Sequence, residues 1–350
     1  VEEKKEPARN EFHSGGKNKT EKISQLRQDL ITGDWVVIAL GRGKRPGEFA
    51  VKREAYPPLS AHCPFCFPEE TGQGKDVLIY KRGDGDWSLR VFPNKFPAFS
   101  RSRPPKYWED GPYFGMDGAG YHEVIVTRDH ARQIANLDPI EVAEIIDGYQ
   151  DRYISLMNKK SVNYIEIFHN HGKEAGASIE HPHSQLMAIP VVSPGITLEL
   201  TGAEEYHKSN RKCVYCTIAE WEIKNKKRLI FENDNFLAFC PFASRAAFEV
   251  WVMPKSHKPY FERINNEEKV DLGEALQKAV HAIYKTLKDP PYNFYIHTSP
   301  CDGKDYPHYH WHIEILPHTA TWAGFELSTG IEISTIEPEE AAAELRKNLN

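Results

Sequence analysis

Apolar side chains recur every three or four positions along two stretches of the chain, residues 137–160 and 266–289. In the first they are Ile140, Ile145, Ile146, Tyr149, Tyr153 and Leu156; in the second, Val270, Leu276, Ala279, Val280, Ile283 and Leu287. That spacing predicts two amphipathic helices, each able to cover one face of a sheet. Asp138 followed by Pro139 supplies an N-cap with proline at the first helical position, and Asn266 with Glu267 and Glu268 does similar work for the second helix. Short runs rich in Val, Ile, Tyr and Phe flank both helices: 122–130, 163–170 and 181–190 around the first, and 248–257, 293–300 and 308–317 around the second. Their partial alternation predicts half-buried strands. The order strand, helix, strand, strand thus occurs twice, with Pro190 and Pro317 standing 127 residues apart, and it implies a duplicated α+β unit. Residues 33–40 and 86–98 add strands to the first copy, residues 337–349 read as a closing helix, and the punctuation by Pro190, Pro194, Gly195 and Gly202 suggests a linker over 191–210.

A length of 350 residues accommodates two such units, 26–195 and 196–350, behind a charged and expectedly disordered segment, 1–25. With 44 basic against 50 acidic residues the net charge is -6. No global field favours nucleic acid or an anionic membrane, so the expected partner is a small molecule. The sequence holds no run of 18 apolar residues and its first 25 residues include no apolar signal core, which leads us to expect a soluble cytoplasmic protein. Six cysteines are too few for a disulfide scaffold.

Four of the six form two Cys-x-x-Cys pairs, Cys63 with Cys66 and Cys213 with Cys216, one ahead of each repeat. Thiolates at that spacing lie on one side of a turn and leave two tetrahedral positions for imidazole nitrogen. His130 and His181 are the candidates in the first copy, and His257 with one histidine of HYHWH (His308 or His310) in the second. Four protein ligands leave no open position, so both centres are expected to be structural. Two residues past His181 stands His183, followed by Ser184 and Gln185 and preceded by the glycine-bearing stretch FHNHGKEAGAS, which ends at Ser178. Backbone amides of such a loop suit an anion. A neutral imidazole attacks phosphorus well when its second nitrogen is held by an acceptor. One imidazole of HPH would anchor the strand while the other attacks.

The ordered elements RQDLITGDWVVIALGRGKRP, CPFC, RVFPNKFPAF, GYHEVIV, FHNHGKEAGASIEHPHSQ and FEVWVMPKSH resemble the galactose-1-phosphate uridylyltransferase family of the histidine triad superfamily, from about Gln25 onward. The resemblance implies two histidine-triad-like halves whose antiparallel sheets form a half-barrel with helices packed on one face, a homodimer, and two structural zinc ions per chain. It also implies ping-pong chemistry in galactose metabolism: His183 takes a uridylyl group from UDP-glucose and passes it to a hexose 1-phosphate. Gln185 and Ser178 match phosphate-contacting residues, Asn170, Arg42 and Arg45 match residues of the nucleotide site, and Asn94 matches an asparagine near the uridine. Cys63, Cys66, His130 and His181 match the first zinc site. Cys213, Cys216, His257 and His310 resemble the second site of a plant branch, the ADP-glucose phosphorylases, in which AMP passes to inorganic phosphate. Lys95 replaces an aspartate found in some members. In the tail WAGFELSTG, Phe325 and Glu326 stand at sugar-contacting positions.

Overall fold

The computed structural model describes residues 23–40, 63–100 and 104–349. Arg42, Arg45 and residues 1–22 lie outside them. The chain opens with strands β1 (Gln25–Gln28), β2 (Trp35–Ile38), β3 (Leu78–Lys81), β4 (Trp87–Pro93), β5 (Tyr107–Asp110), β6 (Tyr113–Met116) and β7 (Tyr121–Thr127). Helix α1 (Pro139–Leu156), strands β8 (Tyr164–His171) and β9 (His183–Ile189), and helices α2 (Pro194–Asn210) and α3 (Val214–Asn225) follow. The second copy comprises β10 (Leu229–Glu232), β11 (Phe236–Phe239), β12 (Val250–Pro254), α4 (Asn266–Leu287), β13 (Tyr292–His297) and β14 (His312–Pro317). Helix α5 (Gly324–Thr329), β15 (Ile333–Ser334) and helix α6 (Pro338–Arg346) complete it.

Ten of the strands form one antiparallel sheet in the order β10-β11-β12-β14-β13-β8-β9-β7-β4-β3. The order reads the same from either end under exchange of the two copies, which join edge to edge where β8 pairs with β13 and Asn170 faces Asn293. Pairing the two innermost strands leaves the duplicated unit no exposed edge at its centre. The fold is the expected α+β arrangement of duplicated units, their antiparallel strands joined in one continuous sheet.

Both long helices form as their periodicity demands. In α1, Glu141 Oε2 accepts from the Asp138 backbone N–H at 2.9 Å. In α4 the cap is Asn265, one residue before the expected Asn266. Its Oδ1 accepts from Glu268 N–H at 2.9 Å while Glu268 Oε2 accepts from Asn265 N–H at 3.0 Å. This reciprocal capping box needs a Glu three residues on, and only Asn265 has it among the two asparagines.

Residues 191–210, expected as a linker, are instead mostly α2. Ser193 Oγ accepts from Ile196 N–H at 3.3 Å and Pro194 occupies the first turn. Ile196, Leu200 and Ala203 form the buried stripe. Gly202, which reads as punctuation, is a packing residue: a Cβ there would stand 1.8 Å from the Ile31 carbonyl oxygen.

Alternation along the strands divides the sheet into two unlike faces. One carries Leu89, Val91, Ile125, Ile165, Ile167, Leu186, Phe294, Ile296, Ile313 and Ile315 and meets α1, α4 and α6 in the main core. Among the described residues the other is covered at its two ends. Cys63, Phe65 and Cys66 pack on Phe92, Val124 and Val126 of the first copy, and α2 with α3 packs on Leu237, Phe239, Trp251 and Met253 of the second. Between them runs a polar strip that includes His183 and Gln185 of β9, Asn170 of β8 and Asn293 of β13.

Candidate active site and metal centres

The Cys-x-x-Cys turn ahead of the first copy brings Cys63 and Cys66 against His130, three residues past the end of β7, and His181, two residues before β9. His181 Nδ1 lies 3.6 Å from Cys63 Sγ, 3.5 Å from Cys66 Sγ and 3.3 Å from His130 Nδ1, and Cys66 Sγ lies 3.2 Å from His130 Nδ1. A tetrahedron with ~2.0 Å nitrogen and ~2.3 Å sulfur arms has edges of roughly 3.3–3.8 Å, so the four donors stand at the corners that a zinc ion requires. His181 Nε2–H donates to the Thr127 carbonyl at 2.8 Å, which fixes the tautomer and turns Nδ1 toward the thiols. Burial pushes this imidazole down to about 4, the neutral form that a metal ligand needs.

The second group repeats the design. Cys216 Sγ lies 3.5 Å from His257 Nδ1 and 3.6 Å from His310 Nδ1, with Cys213 completing the set. The distal nitrogens again donate to backbone carbonyls, His257 to Pro307 at 2.7 Å and His310 to Pro254 at 3.0 Å. Of the two histidines left open by the sequence it is thus His310 that joins the group. Both groups are compatible with zinc.

His183 opens β9 on the face opposite α1 and α4, 8% exposed, with the Phe65 ring edge-on at 5.0 Å. Its Nδ1–H donates to the His181 carbonyl at 2.9 Å. Burial holds the ring below its usual range against the opposing effect of that bond, so it stays neutral with the Nε2 lone pair available. Behind it, on the helix side, Ser184 Oγ is shared by the Tyr149 hydroxyl at 2.5 Å and His169 Nδ1 at 3.0 Å. His169 stacks on Phe294 with ring centres 5.1 Å apart. The strand that begins at His183 is therefore tied to α1 and to β8 by the adjacent Ser184.

Gln185 lies on the same face as His183, and its Oε1 is 2.7 Å from Nε2 of His122 on β7. Asn94 sits at the end of β4, its N–H donating to the His122 carbonyl at 2.8 Å and its Oδ1 accepting from Phe96 N–H at 2.9 Å. Lys95 turns away, donating to the Thr71 carbonyl at 3.1 Å. Asn170 Oδ1 accepts from Asn293 Nδ2 at 2.7 Å, and Asn293 Oδ1 contacts His318 Nε2 at 2.5 Å. Asn293 and His318 border an open pocket of about 580 Å³ that also includes Arg245, Tyr295 and Trp322. The loop from Asn170 to Ser178 turns at Gly172 and Gly176, whose φ values of 86° and 89° belong to glycine. Ser178 is exposed on it.

The structure thus gathers His183, Gln185, Asn94 and Asn170 on one strip of the sheet. Phe325 and Glu326 sit apart on α5, Phe325 47% exposed and Glu326 Oε2 accepting from Ala323 N–H at 3.1 Å. Neither makes a hydrogen bond or ring contact with His183, Gln185, Asn94 or Asn170. Arg42 and Arg45 fall outside the described residues. Sequence reasoning gave no site role to Phe65, His122 or Asn293, named Ser184 only as the neighbour of His183 and Tyr149 only as a helix-stripe residue; the phenylalanine of CPFC and the histidine of GYHEVIV were the signals within reach.

A third cluster lies at the second copy's end of the same face: Glu199, His297, His312 and Glu314. His297 Nδ1 is 2.8 Å from Glu199 Oε1, and the surrounding carboxylates raise it to about 9 against its burial. Glu314 in turn pairs with Arg245 and accepts from the Tyr295 hydroxyl at 3.0 Å. The cluster balances its own charge.

No helix among the described residues is long and apolar enough to cross a membrane. Comparison with known proteins matches residues 16–193 to the family model for the N-terminal domain of galactose-1-phosphate uridyl transferase, and residues 112–350 to a domain of unknown function, DUF4921. The ADP-glucose phosphorylase of Arabidopsis thaliana is 36% identical over 329 residues, 92% of each chain. The galactose-1-phosphate uridylyltransferase of Thermotoga maritima is 31% identical over 341 residues, 93% of this chain and 98% of its own. A crystal structure of the Arabidopsis ADP-glucose phosphorylase with bound ADP-glucose superposes with a TM-score of 0.80 at 33% identity, over 93% of this chain and 99% of that one.

Proposed function

The chain belongs to the galactose-1-phosphate uridylyltransferase family of nucleotidyltransferases, the ADP-glucose phosphorylases included, and from that premise we propose that it moves a nucleotidyl group from a nucleoside diphosphate sugar to an acceptor phosphate through His183. The observation that carries the reading is the 2.9 Å bond from His183 Nδ1–H to the His181 carbonyl. It leaves Nε2 as the one basic nitrogen and supports the cationic ring that forms when Nε2 bonds to phosphorus. The Nε2 lone pair attacks the α-phosphorus, the bond to the sugar phosphate breaks, and sugar 1-phosphate leaves. An oxygen of the acceptor phosphate then attacks, the N–P bond breaks, and the neutral imidazole returns.

Gln185 and Ser178 would hold the phosphate oxygens; Asn170, Arg42 and Arg45 the nucleotide, with Asn94 near its base; Phe325 and Glu326 the sugar. Cys63, Cys66, His130 and His181 would bind one zinc ion and Cys213, Cys216, His257 and His310 a second, each supplying folding energy and a fixed strand end. His181 thereby anchors the carbonyl that orients His183.

Inorganic phosphate is the acceptor we place first, with ADP-glucose as donor and ADP and glucose 1-phosphate as products. The higher identity to the plant phosphorylase and the second Cys pair support it. The second reading, UDP-glucose with a hexose 1-phosphate, is supported by the likeness to the Thermotoga enzyme along almost its whole length. Incubating the protein with UDP-glucose or ADP-glucose, each with galactose 1-phosphate or phosphate, decides base and acceptor together. Donor consumption as fast without acceptor as with the best one would make the protein a hydrolase and overturn the transfer reading.

A further inference from the structure

His122 lies diagonally across from Gln185, since β7 and β9 pair Val124 with Gln185 and His122 with Met187. It is 6% exposed, and burial keeps it below its usual range and so neutral, with a single ring proton. Its Nδ1 accepts from Ala98 N–H at 3.2 Å. The proton is therefore on Nε2, which donates to Gln185 Oε1 at 2.7 Å. Asn94 Nδ2, 3.1 Å from the same Nε2, then meets another donor and forms no hydrogen bond there. The Asn94 amide cannot turn over to suit it, because its Oδ1 is committed to Phe96 N–H.

We propose that His122 is a positioning residue which fixes the orientation of the Gln185 amide. With Oε1 consumed by the imidazole, Gln185 has only its two N–H donors to offer the open strip beside His183. A flipped amide would present a carbonyl oxygen to a phosphate and repel it. The backbone of the 94–98 segment sets the tautomer, the tautomer sets the amide, and the amide faces the phosphate, so that segment is coupled to the reacting group. The proposal rests on the transfer reading for the identity of the anion, though its geometry does not.

Two measurements test it. In protein labelled with 15N-histidine, ring nitrogen signals assigned by their loss in His122→Gln should show the proton on Nε2; a proton on Nδ1 overturns the proposal. A double-mutant cycle reads the consequence. His122→Leu should lower kcat for nucleotidyl transfer from ADP-glucose to phosphate about tenfold, with little change in KM, the coupling expected of two contacting side chains. The same substitution in a Gln185→Ala background should change kcat less than about twofold. His122→Gln, whose amide places a donor near the lost Nε2–H, should restore most of the rate. Equal losses in both backgrounds would show that His122 acts on stability or elsewhere and refute the proposal. Reading the cycle also as AMP affinity by calorimetry separates the two ideas: coupled affinity without turnover sinks the transfer reading alone, and uncoupled affinity with turnover sinks this one.

Discussion

Raising the pH from 6 to 10 should remove about 3 kcal/mol of stability through His297, the size set by the gap between its ordinary value near 6.5 and its folded value near 9. The ring is 13% exposed, with Glu199 at 2.8 Å and Glu314 at 3.8 Å. Against its burial, the facing His297 holds Glu199 below the usual carboxylate range, and the Tyr309 and Tyr215 hydroxyls donate to its other oxygen at 2.5 and 3.3 Å. A histidine raised in the folded state binds its proton more tightly there than when unfolded. Its contribution is complete below about pH 6.5, falls as the pH passes from 6.5 toward 9, and is gone above that. Other groups titrate over the same range, so the quantity to measure is the gap in urea-unfolding free energy between wild type and His297→Gln. The gap should be widest near pH 6 and narrow by about 3 kcal/mol by pH 10. Glu199→Gln/His297→Gln serves as a second comparison should the single variant, with two carboxylates facing no imidazolium, fold poorly. A constant gap across the range would refute the ion-pair account. So would a third metal equivalent at these four residues, because a bound ion would displace the His297 proton.

His183→Ala should abolish turnover without lowering the melting temperature, and mass spectrometry of wild type with donor alone should find a nucleotidyl adduct on His183; an adduct elsewhere contradicts the assignment. Elemental analysis should give two zinc ions per chain, and Cys63→Ser or Cys213→Ser should each release one and lower thermal stability, since structural zinc peptides gain about 10 kcal/mol or more from the metal; fewer than one ion per chain would contradict both centres. Gly273→Ala should destabilise by about 1–3 kcal/mol, because a Cβ there would lie 2.6 Å from the Pro139 carbonyl oxygen and 2.8 Å from Ala143 N and force α4 off α1; an unchanged urea midpoint would show that the helices do not approach so closely.

What was legible in the sequence is what depends on near neighbours along the chain. The 3.6-residue periodicity of α1 and α4, the Cys-x-x-Cys turns and the HPH triplet are each complete within a few residues, and each proved to occupy the expected element. Relations that depend on strand register were not legible. His122 and Gln185 are 63 residues apart and meet only because β7 and β9 pair with Val124 opposite Gln185. The repeat itself misleads by two residues. The interval from metal-site histidine to closing proline is nine residues in His181 to Pro190 and seven in His310 to Pro317, so aligning the prolines equates His181 with His308. The α2 helix was hidden because its buried stripe is narrow and its glycines fall where a linker would have them.

Aligned by metal-site histidine, His183 corresponds to His312 and Gln185 to Glu314, and the correspondence is physical. His312 Nδ1–H donates to the His310 carbonyl at 3.2 Å just as His183 donates to His181. A histidine two residues past a metal-site histidine, held by its carbonyl, is thus present twice and cannot alone confer reactivity. The difference lies in what meets Nε2. In the first copy the neighbouring side chain is a neutral, half-buried amide whose oxygen is turned to His122. In the second, Glu314 Oε1 lies 3.3 Å from His312 Nε2, Trp251 packs 4.7 Å from the ring, and His312 is fully buried. A carboxylate at that position repels phosphate and occupies the nitrogen that would attack. The α2–α3 layer completes the closure by covering the second copy's end of the face, while among the described residues the first copy's end carries the compact Cys-x-x-Cys turn. One duplicated frame therefore carries the imidazole we propose as nucleophile in one half and a buried, charge-balanced cluster in the other, and the two differ in whether the residue two positions on is Gln or Glu and in whether α2 and α3 pack over the sheet.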